Sequence, residues 1–482
     1  MILAIDQGTT GTTCMVFDGR GGVAGRAYRE FEQHFPRPGW VEHDAAEIWD
    51  VTRTVAHEAL DAAGTDGRGL AAVGITNQRE TVVAWDPETG EPLHRALVWQ
   101  DRRTATRCDE LREAGHESLV RERTGLVIDP YFSATKLEWL VQHGVGPDAA
   151  FGTIDSWLLF KLTGRHATDY TNASRTMLFD IHRLDWDGEL CELLGVPQAA
   201  LPEVLPSAHV YGETEEFGGS VPVAGVAGDQ QAALYGQACQ RRGLGKSTYG
   251  TGSFLLQNAG PHAPGVEQGL LTTIAWGVAD RVDYAFEASI FVTGAAVQWL
   301  RDGLGLIETA AETAAMAGEL DGNDGVYFVP ALTGLGSPHW DPYARGTIVG
   351  LTRGTGRSHL ARAALESIAY QTVDAVRATE AASGWDLTEL KADGGATANP
   401  WLMQFQADVL GVPVVVPEVA ETTALGAAYL AGVATGLWSE ADTEAMWREG
   451  ARYEPSMGAD ARDALFHDWE RALERSRRWV EA

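Results

Sequence analysis

Short apolar runs broken by glycine and threonine characterise this chain from its first residues. Residues 2–18 read ILAIDQGTTGTTCMVFD, with an apolar run on each side of the polar residues 7–11. Runs of this length, separated by glycine and hydroxyl residues, are typical of two strands joined by a tight turn. The pattern therefore predicts a β-hairpin with a glycine-rich tip.

Similar patterns recur along the chain. The segment STYGTGSFLLQ at 247–257 predicts a second hairpin, and the runs AAVGIT and TVVAW flank residues 77–80, which we therefore expect at a strand end or turn. Further on, LKAD leads into a glycine turn, a helical spacing of apolar residues from Asn399 to Gly411, and the strand-like VPVVVP. Strands that alternate with helical stretches such as 45–63 and 359–383 predict an α/β protein.

The two glycine and threonine hairpins lie in different halves of the chain. Their similarity predicts two domains of related design, 1–228 and 229–482, that face a common ligand. Residues 228–231 would then lie in the interdomain cleft, which is a favoured position for binding sites.

Composition narrows the classes of function. The chain has 482 residues, 45% of them hydrophobic, which is enough for large cores, and its apolar runs are too short to span a bilayer. A formal charge of −30 argues against nucleic acid as a partner. No leader pattern is visible, so we expect a cytoplasmic protein without membrane insertion. The four cysteines have no paired spacing and are expected to be core thiols.

The first hairpin has the chemistry of a phosphate site. Gly8 and Gly11 let the backbone approach phosphate oxygens, and the hydroxyls of Thr9 and Thr10 add donors without bulk. Asp6, at the end of the first run, offers hard oxygen ligands for Mg²⁺. An ordinary turn of the same composition is the alternative.

A second glycine-rich segment resembles a Walker A loop only in part. Residues 245–247 read GKS, but position 240 is glutamine where the motif requires glycine, so no P-loop is predicted. Lys246 is accordingly expected at the surface.

Eleven segments make the chain resemble the FGGY family of carbohydrate kinases over nearly its full length, and among them the members that act on glycerol. The segments are AIDQGTT, FPRPGWVEHD, GITNQRETVVAWD, VWQDRRT, TGLVIDPYFSATKLEWL, TDYTNASRTMLFDI, GDQQAALYGQ, YGTGSF, FVPALTGLGSPHWDPYARG, DGGATANPWLMQFQADVLG and TALGAAYLAG. The resemblance implies two ribonuclease H-like domains, as in actin, hexokinase and Hsp70, with ATP held in the cleft between them.

The resemblance also implies site residues. Those expected to hold glycerol are Arg79, Glu80, Trp99, Tyr131, Asp229, Gln230 and Phe254. Those expected to hold ATP are Thr9, Thr10, Gly11, Thr251, Gly294, Gln298, Gly395 and Asn399. Taken one by one, the charged pair also fits a solvated turn, the aromatic residues fit core packing, and Asn399 fits a helix cap.

Asp229 is the predicted general base, since a carboxylate beside a substrate hydroxyl can accept its proton as the oxygen attacks the γ-phosphate. Its alternative role is a helix N-cap before an apolar run.

One departure from the family concerns the phosphate site. Many members carry an arginine shortly after the AIDQGTT segment, whereas this chain has Thr13.

The activity that the resemblance implies is ATP-dependent phosphorylation of glycerol to sn-glycerol 3-phosphate with Mg²⁺, in a homo-oligomer (dimer or tetramer). Two alternatives stay open. A kinase of the same family for another small polyol or a ketose is the nearer one, although the aromatic residues favour a three-carbon substrate. An ATPase of the actin or Hsp70 kind shares the hairpins but gives no reason for Arg79, Glu80 and Asp229 together.

Overall fold

The glycine and threonine turns of the sequence pattern join antiparallel strand pairs in two large, separate sheets. The computed structural model describes residues 1–265 and 269–480. Strands of the first half of the chain are β1 (Ile2–Gln7), β2 (Gly11–Phe17), β3 (Val23–Glu30), β4 (Glu42–His43), β5 (Ala72–Asn77), β6 (Val82–Trp85), β7 (Ala96–Leu97), β8 (Ala150–Thr153), β9 (Ala167–Asp169), β10 (Phe179–Asp180), β11 (Asp185–Trp186), β12 (Glu203–Leu205), β13 (Gly212–Thr214) and β14 (Val221–Gly228).

The second half contributes fewer and longer strands. They are β15 (Gly245–Tyr249), β16 (Ser253–Gly260), β17 (Leu271–Val278), β18 (Arg281–Ile290), β19 (Tyr327–Val329), β20 (Thr347–Val349), β21 (Leu390–Asp393), β22 (Val414–Pro417) and β23 (Glu449–Tyr453).

Helices cover the sheets. They are α1 (Ala45–Ala62), α2 (Ala105–Glu113), α3 (Glu117–Thr124), α4 (Ser133–Gln142), α5 (Ile154–Thr163), α6 (Tyr170–Ala173), α7 (Gly188–Leu193), α8 (Asp229–Gly236), α9 (Gly294–Gln298), α10 (Glu312–Gly318), α11 (Arg357–Ser383), α12 (Pro400–Leu410), α13 (Thr422–Ala434), α14 (Glu440–Met446) and α15 (Ala459–Ser476). Helix α12 has the predicted limits. The Asn399 side chain accepts from the Leu402 amide at its start, and Gly411 ends it with φ of 75°.

The two large sheets share the arrangement of their central strands. In the first, the order is β13-β14-β5-β1-β2-β3, and in the second it is β17-β18-β16-β15-β21-β22-β23. Each has its hairpin's first strand near the centre, antiparallel to the next strand and parallel to a later one: β1 to β5, and β15 to β21. The predicted α/β architecture with two related halves is therefore present.

The runs around residues 77–80 lie in different sheets. Strand β5 belongs to the first large sheet, whereas β6 pairs with β7 and β8 in a four-stranded sheet. The polar residues between them occupy a strand end, as predicted, at the point where the chain leaves one sheet for another.

Three apolar cores hold the molecule together. Two of them contain residues of both halves, and the smaller of these two is built around α8 and α13. That core packs α8 and α13 between the sheets and includes Ile2, Leu234, Leu256 and Ala428. A Cβ atom on Gly225 of β14 would lie 2.4 Å from the backbone nitrogen of Ala431 in α13, so glycine permits this close approach of helix and sheet. Helix α13, which lies between strands β22 and β23 of the second sheet, thus packs on the first sheet.

The four cysteines are buried and unpaired, which confirms their prediction as core thiols. Within residues 1–265 and 269–480, none of the helices combines the length and the apolar character needed to cross a bilayer.

Candidate functional site

The tip of the first hairpin is a narrow backbone loop. The Gly8 amide donates to the Gly11 carbonyl at 3.0 Å, which brings the ends of the tip together. A Cβ atom on Gly11 would lie 2.6 Å from the carbonyl oxygen of Arg29, so only glycine fits there. Thr10 is exposed at this tip, and the Thr9 hydroxyl accepts from the Trp99 indole at 2.9 Å. Thr9 therefore links the tip of the first hairpin to the loop that carries Trp99.

Asp6 precedes this tip at the end of β1, where it pairs across the hairpin with Thr13. Burial and the neighbouring Asp229 carboxylate raise the pKa of Asp6 to about 7. In the described part of the chain its carboxylate has neither a hydrogen bond nor an ion pair, and no three His, Cys, Asp or Glu side chains are grouped to hold a metal. Because Mg²⁺ commonly takes one or two carboxylates and completes its shell with water and phosphate, Asp6 fits that ion.

A tight turn after β5 presents the charged pair predicted at residues 79 and 80. The Thr81 amide donates to the Arg79 carbonyl at 2.7 Å, and Glu80 at the centre of the turn has φ of 62°. For a residue with a side chain this conformation costs about 1–3 kcal/mol, and such residues cluster at functional sites. Both side chains are buried, so the alternative of a solvated turn is wrong.

Arg79 is the centre of the candidate substrate cluster. Its Nε lies 3.1 Å from Oδ1 of Asp229 and 3.9 Å from Oε1 of Glu80. Its Nη2 donates to the Tyr131 hydroxyl at 3.4 Å, and its guanidinium carbon lies 5.6 Å from the centre of the Phe254 ring. The Trp99 and Tyr131 rings meet edge to face at 5.7 Å. One side chain thus connects residues drawn from both halves of the chain.

Two charged residues without a predicted role complete this cluster. Glu287 of β18 accepts from Arg79 Nη1 at 2.5 Å and from Arg175 Nη2 at 2.9 Å, while Arg175 Nε donates to Glu80 at 2.7 Å. Burial alone would raise the pKa of Glu287, but Arg175 and Arg79 outweigh it and hold the pKa at about 2. The same burial raises the pKa of Glu80, although both arginines oppose it.

Sequence signals for these two residues existed but were weak. Glu287 interrupts the apolar strand YAFEASI, and an acid there must be paired once the strand is buried. Arg175 lies in TNASRTM, a segment used for the family resemblance without a role for its arginine.

Asp229 is the first residue of α8, and Gly228 occupies the N-cap position. The alternative that Asp229 caps this helix is therefore wrong by one residue, because the chain becomes helical already at Asp229. The Asp229 carboxylate accepts from the backbone amide of Gln230 at 2.7 Å, and 32% of the Asp229 side-chain surface is exposed. It is thus oriented by Arg79 on one side and accessible on another.

Lys246 departs from its prediction. Its side chain is fully buried, not at the surface, and Nζ donates to Gln230 Oε1 at 2.6 Å and to the Thr248 hydroxyl at 2.7 Å. The partial Walker pattern gave no indication that Lys246 is buried. Strand β15 is largely buried, and this places Lys246 inside the molecule.

Beside this cluster, a cavity of about 480 Å³ opens in the second half of the chain. Its walls contain five of the eight residues predicted to hold ATP: Thr251, Gly294, Gln298, Gly395 and Asn399. The other three, at the tip of the first hairpin, are not among the described residues that line it. Leu365, Ile368 and Leu402 supply apolar wall, and Arg301, which had no predicted role, supplies a charge.

The backbone shapes this cavity more than long side chains do. The Gly294 amide donates to the Gly250 carbonyl at 3.0 Å, and a Cβ atom on Gly294 would lie 2.5 Å from that oxygen. Gly394 has φ of 91° and crosses close to Tyr249. Asn399 caps α12 as in its alternative reading and also lines the cavity, with its amide nitrogen 3.3 Å from the Thr313 hydroxyl.

Known proteins resemble this chain in sequence and in fold. It is 55% identical to "Glycerol kinase 2" of Thermotoga maritima, over 99% of each chain. Its fold matches the crystal structure of Plasmodium falciparum glycerol kinase with ADP, with a TM-score of 0.93 and 35% identity over 100% of this chain and 98% of the other. A gluconate kinase from Lactobacillus acidophilus shares the fold at 22% identity, with a TM-score of 0.87, over 98% of this chain and 97% of the other.

Two family models account for most of the length. The N-terminal domain of the FGGY family of carbohydrate kinases matches residues 1–236, and the C-terminal domain matches residues 245–435. The two-domain fold expected from the sequence is thereby confirmed, while the boundary between residues 228 and 229 stays a prediction. By sequence, by fold and by both of its domains, the chain belongs to the FGGY family of carbohydrate kinases.

Proposed function

We propose that this protein transfers the γ-phosphoryl group of ATP to glycerol and forms sn-glycerol 3-phosphate and ADP. Relatives named glycerol kinase, one of them solved with ADP, support this substrate pair. The observation that carries the proposal is the meeting of Glu80, Tyr131, Asp229 and Phe254 around the buried guanidinium of Arg79, with the partly exposed Asp229 carboxylate 3.1 Å from it.

The proposed chemistry at this cluster is a proton transfer coupled to phosphoryl transfer. An Asp229 oxygen accepts the proton of a primary hydroxyl of glycerol. At the same time the oxygen of this hydroxyl forms a bond to the γ-phosphorus, and the bond from that phosphorus to the ADP oxygen breaks. Arg79 orients Asp229 for this step. Glu80 and Gln230 are assigned to the remaining hydroxyls, and Trp99, Tyr131 and Phe254 to the carbon chain.

The nucleotide is assigned to the two hairpin tips and the cavity. Thr9, Thr10 and Gly11 would contact the terminal phosphates through hydroxyls and backbone amides. The lining residues Thr251, Gly294, Gln298, Gly395 and Asn399 would hold the rest of ATP, with the apolar walls against the base. Asp6 would hold Mg²⁺, directly or through water, and the ion supplies charge neutralisation at the phosphates.

Two rival functions differ in what they require of the site. A kinase for a larger polyol or a ketose needs room where the Trp99 and Tyr131 rings meet. A phosphate-binding ATPase without a small substrate gives no reason for burying Arg79, Glu80 and Glu287 together. The enclosed, charged cluster favours a small triol over either.

An ADP-release assay separates these functions. Glycerol, dihydroxyacetone, erythritol and xylulose are compared at equal concentration with Mg-ATP, and the Asp229→Asn protein, purified identically, controls for contaminating kinases. We expect the largest kcat/KM for glycerol and phosphate on one primary hydroxyl, read by phosphorus NMR. A larger value for xylulose or erythritol would support the other sugar kinase, and ADP release independent of any polyol would support the ATPase.

The cytoplasmic location and the homo-oligomeric state, dimer or tetramer, remain predictions from the sequence. The partners proposed are glycerol and ATP, with no nucleic acid.

A further inference from the structure

Lysine is rare in this chain, and its placement is selective. Only four of the 37 basic residues are lysine, at positions 136, 161, 246 and 391. Lys136, Lys246 and Lys391 are buried, with each Nζ donating to oxygen atoms. A compact ammonium fits confined sites that a planar guanidinium does not. Three of the four lysines thus provide a small buried cation.

Lys246 is the buried lysine whose ammonium contacts the side chain of a candidate substrate residue, whereas Lys136 contacts the cluster at the Tyr131 backbone carbonyl. The Lys246 Nζ lies 2.6 Å from Gln230 Oε1 and 2.7 Å from the Thr248 hydroxyl. Burial lowers the pKa of Lys246, whereas the carboxylates of Asp393 and Asp229 act in the opposite direction. The ammonium thus connects Gln230, which follows Asp229, with Thr248 of β15, the strand that leads to the second hairpin tip.

This contact determines which end of the Gln230 amide faces the ammonium. A lysine ammonium has only N–H donors, so the atom that approaches it must be the amide oxygen. The amide NH₂ group then points away from Lys246 and offers only donors. Without the ammonium, nothing in this contact distinguishes the two ends, and the amide can rotate to present its oxygen instead.

We propose that Lys246 is a positioning residue that holds the Gln230 amide with its NH₂ group toward the substrate. This inference rests on the proposed function, because it takes Gln230 as a glycerol contact. Gln230 then donates to a glycerol oxygen, while the adjacent Asp229 accepts a hydroxyl proton. A hydroxyl group is both donor and acceptor, so the two neighbouring residues bind it in complementary senses.

Three variants test this role by calorimetric titration of glycerol without nucleotide and by steady-state kinetics. Lys246→Met should weaken glycerol binding about 10-fold or more, since it removes a charge-assisted hydrogen bond from a buried amide. Gln230→Ala should weaken glycerol binding to a comparable extent. The glycerol affinity of the double variant should be within about twofold of that of Gln230→Ala alone, because both changes remove the same hydrogen bond to glycerol. The KM for ATP should stay within about twofold.

Lys391→Met is the matched control. That lysine is also buried and its Nζ donates to a single carbonyl, of Gln237, at 2.6 Å, but it has no contact with Gln230. It should lose stability as Lys246→Met does and keep its glycerol affinity. Equal loss of glycerol affinity in both lysine variants would overturn the proposal, because general loosening would then explain the effect.

Gln230→Glu provides a test that leaves Lys246 in place, including the case in which Lys246→Met does not fold. The carboxylate keeps an oxygen for Lys246 and replaces the NH₂ donor by an acceptor at nearly equal volume. We expect about 10-fold weaker glycerol binding. Unchanged affinity would overturn the donor role. If the Gln230→Ala protein binds glycerol as tightly as the wild type, the proposed substrate site is wrong. If the Lys246→Met protein binds glycerol normally while Gln230→Ala weakens binding, the site is supported and the positioning role of Lys246 is wrong.

Discussion

The proposed substrate cluster and the proposed nucleotide cavity consist of different kinds of residue. Around Arg79, buried charges contact one another directly, with Glu287 at 2.5 Å and Asp229 at 3.1 Å. The cavity of about 480 Å³ is instead lined mainly by glycine, alanine and aliphatic residues, with backbone groups at its hairpin tip. Both regions belong to sheets whose central strands have the same arrangement. The scaffold is repeated, and the chemistry is not.

This difference predicts two kinds of sensitivity. In the cluster, removing one charge leaves its partner unpaired in a buried site, so conservative changes of charge should have large effects. In the cavity, the proposed nucleotide contacts depend on the space between backbone segments. Adding a methyl group there should therefore change ATP binding more than removing a charge. The following changes test that contrast.

The largest effect is expected for Asp229→Asn. This change keeps the size of the side chain and removes the proposed base, so turnover with both substrates saturating should fall about 10²- to 10⁴-fold, or about 3–5 kcal/mol in the barrier. Arg79 keeps its closer partner Glu287, and asparagine is accepted at helix starts, so the melting temperature should change little. A variant that melts normally and retains more than about a third of the turnover, with chemistry rate-limiting, would contradict the assignment of the base.

Glu287→Gln should affect stability and glycerol binding together. The substitution leaves Arg79 and Arg175 without their shared carboxylate in a fully buried site, and breaking such a pair costs about 3–5 kcal/mol. Urea unfolding gives the stability and titration the affinity. Glu389→Gln, which removes a partly exposed partner of Arg452, is the control and should cost about 0–1 kcal/mol.

Acid should reduce the difference between the Glu287→Gln protein and the wild type. The folded-state pKa of Glu287 is about 2, below the ordinary value of 4.5. A depressed carboxylate pKa stabilises the fold fully above the unfolded value and loses that contribution as pH falls through the folded value. The gap in unfolding free energy should therefore be widest above pH 4.5 and narrow toward pH 2. A gap that does not change over this range would show that ionisation of Glu287 is not its source.

Gly294→Ala should weaken ATP binding and spare glycerol. The added Cβ would lie 2.5 Å from the Gly250 carbonyl oxygen, so the hairpin tip must shift at the cavity wall. Overpacking of this kind costs about 1–3 kcal/mol, which corresponds to about a tenfold rise in KM for ATP. Gly146→Ala is the control, because no atom lies within 4 Å of its Cβ position. A larger change in glycerol affinity than in ATP affinity would contradict the separation of the two regions.

The smallest effect is expected for Arg301→Ala. Arg301 lines the cavity, but its side chain is 44% exposed and pairs with Asp302 next to it. Exposed charges contribute about 0–1 kcal/mol, so the KM for ATP should rise no more than about fivefold. A change of 100-fold would make this charge a major nucleotide contact and would remove the contrast with the substrate cluster.

Local pattern was sufficient for much of the architecture. Both hairpins, the strand end at residues 77–80 and the limits of α12 follow from apolar spacing and from turn and cap residues, which act over a few positions. The residues named for the substrate came from whole motifs, and the structure brings Arg79, Asp229, Tyr131 and Phe254 into contact around one guanidinium.

What only the tertiary structure decided is which polar residues are buried and what pairs with them. Nothing local distinguishes Lys246 from a surface lysine, and nothing near Arg175 indicates Glu287, which lies 112 positions away. Burial depends on packing between distant segments, and a buried charge must then find a partner wherever the fold supplies one. The sequence by itself determined the strands, the turns and the family, whereas the ionic arrangement that surrounds the proposed base exists only once the two halves have packed together.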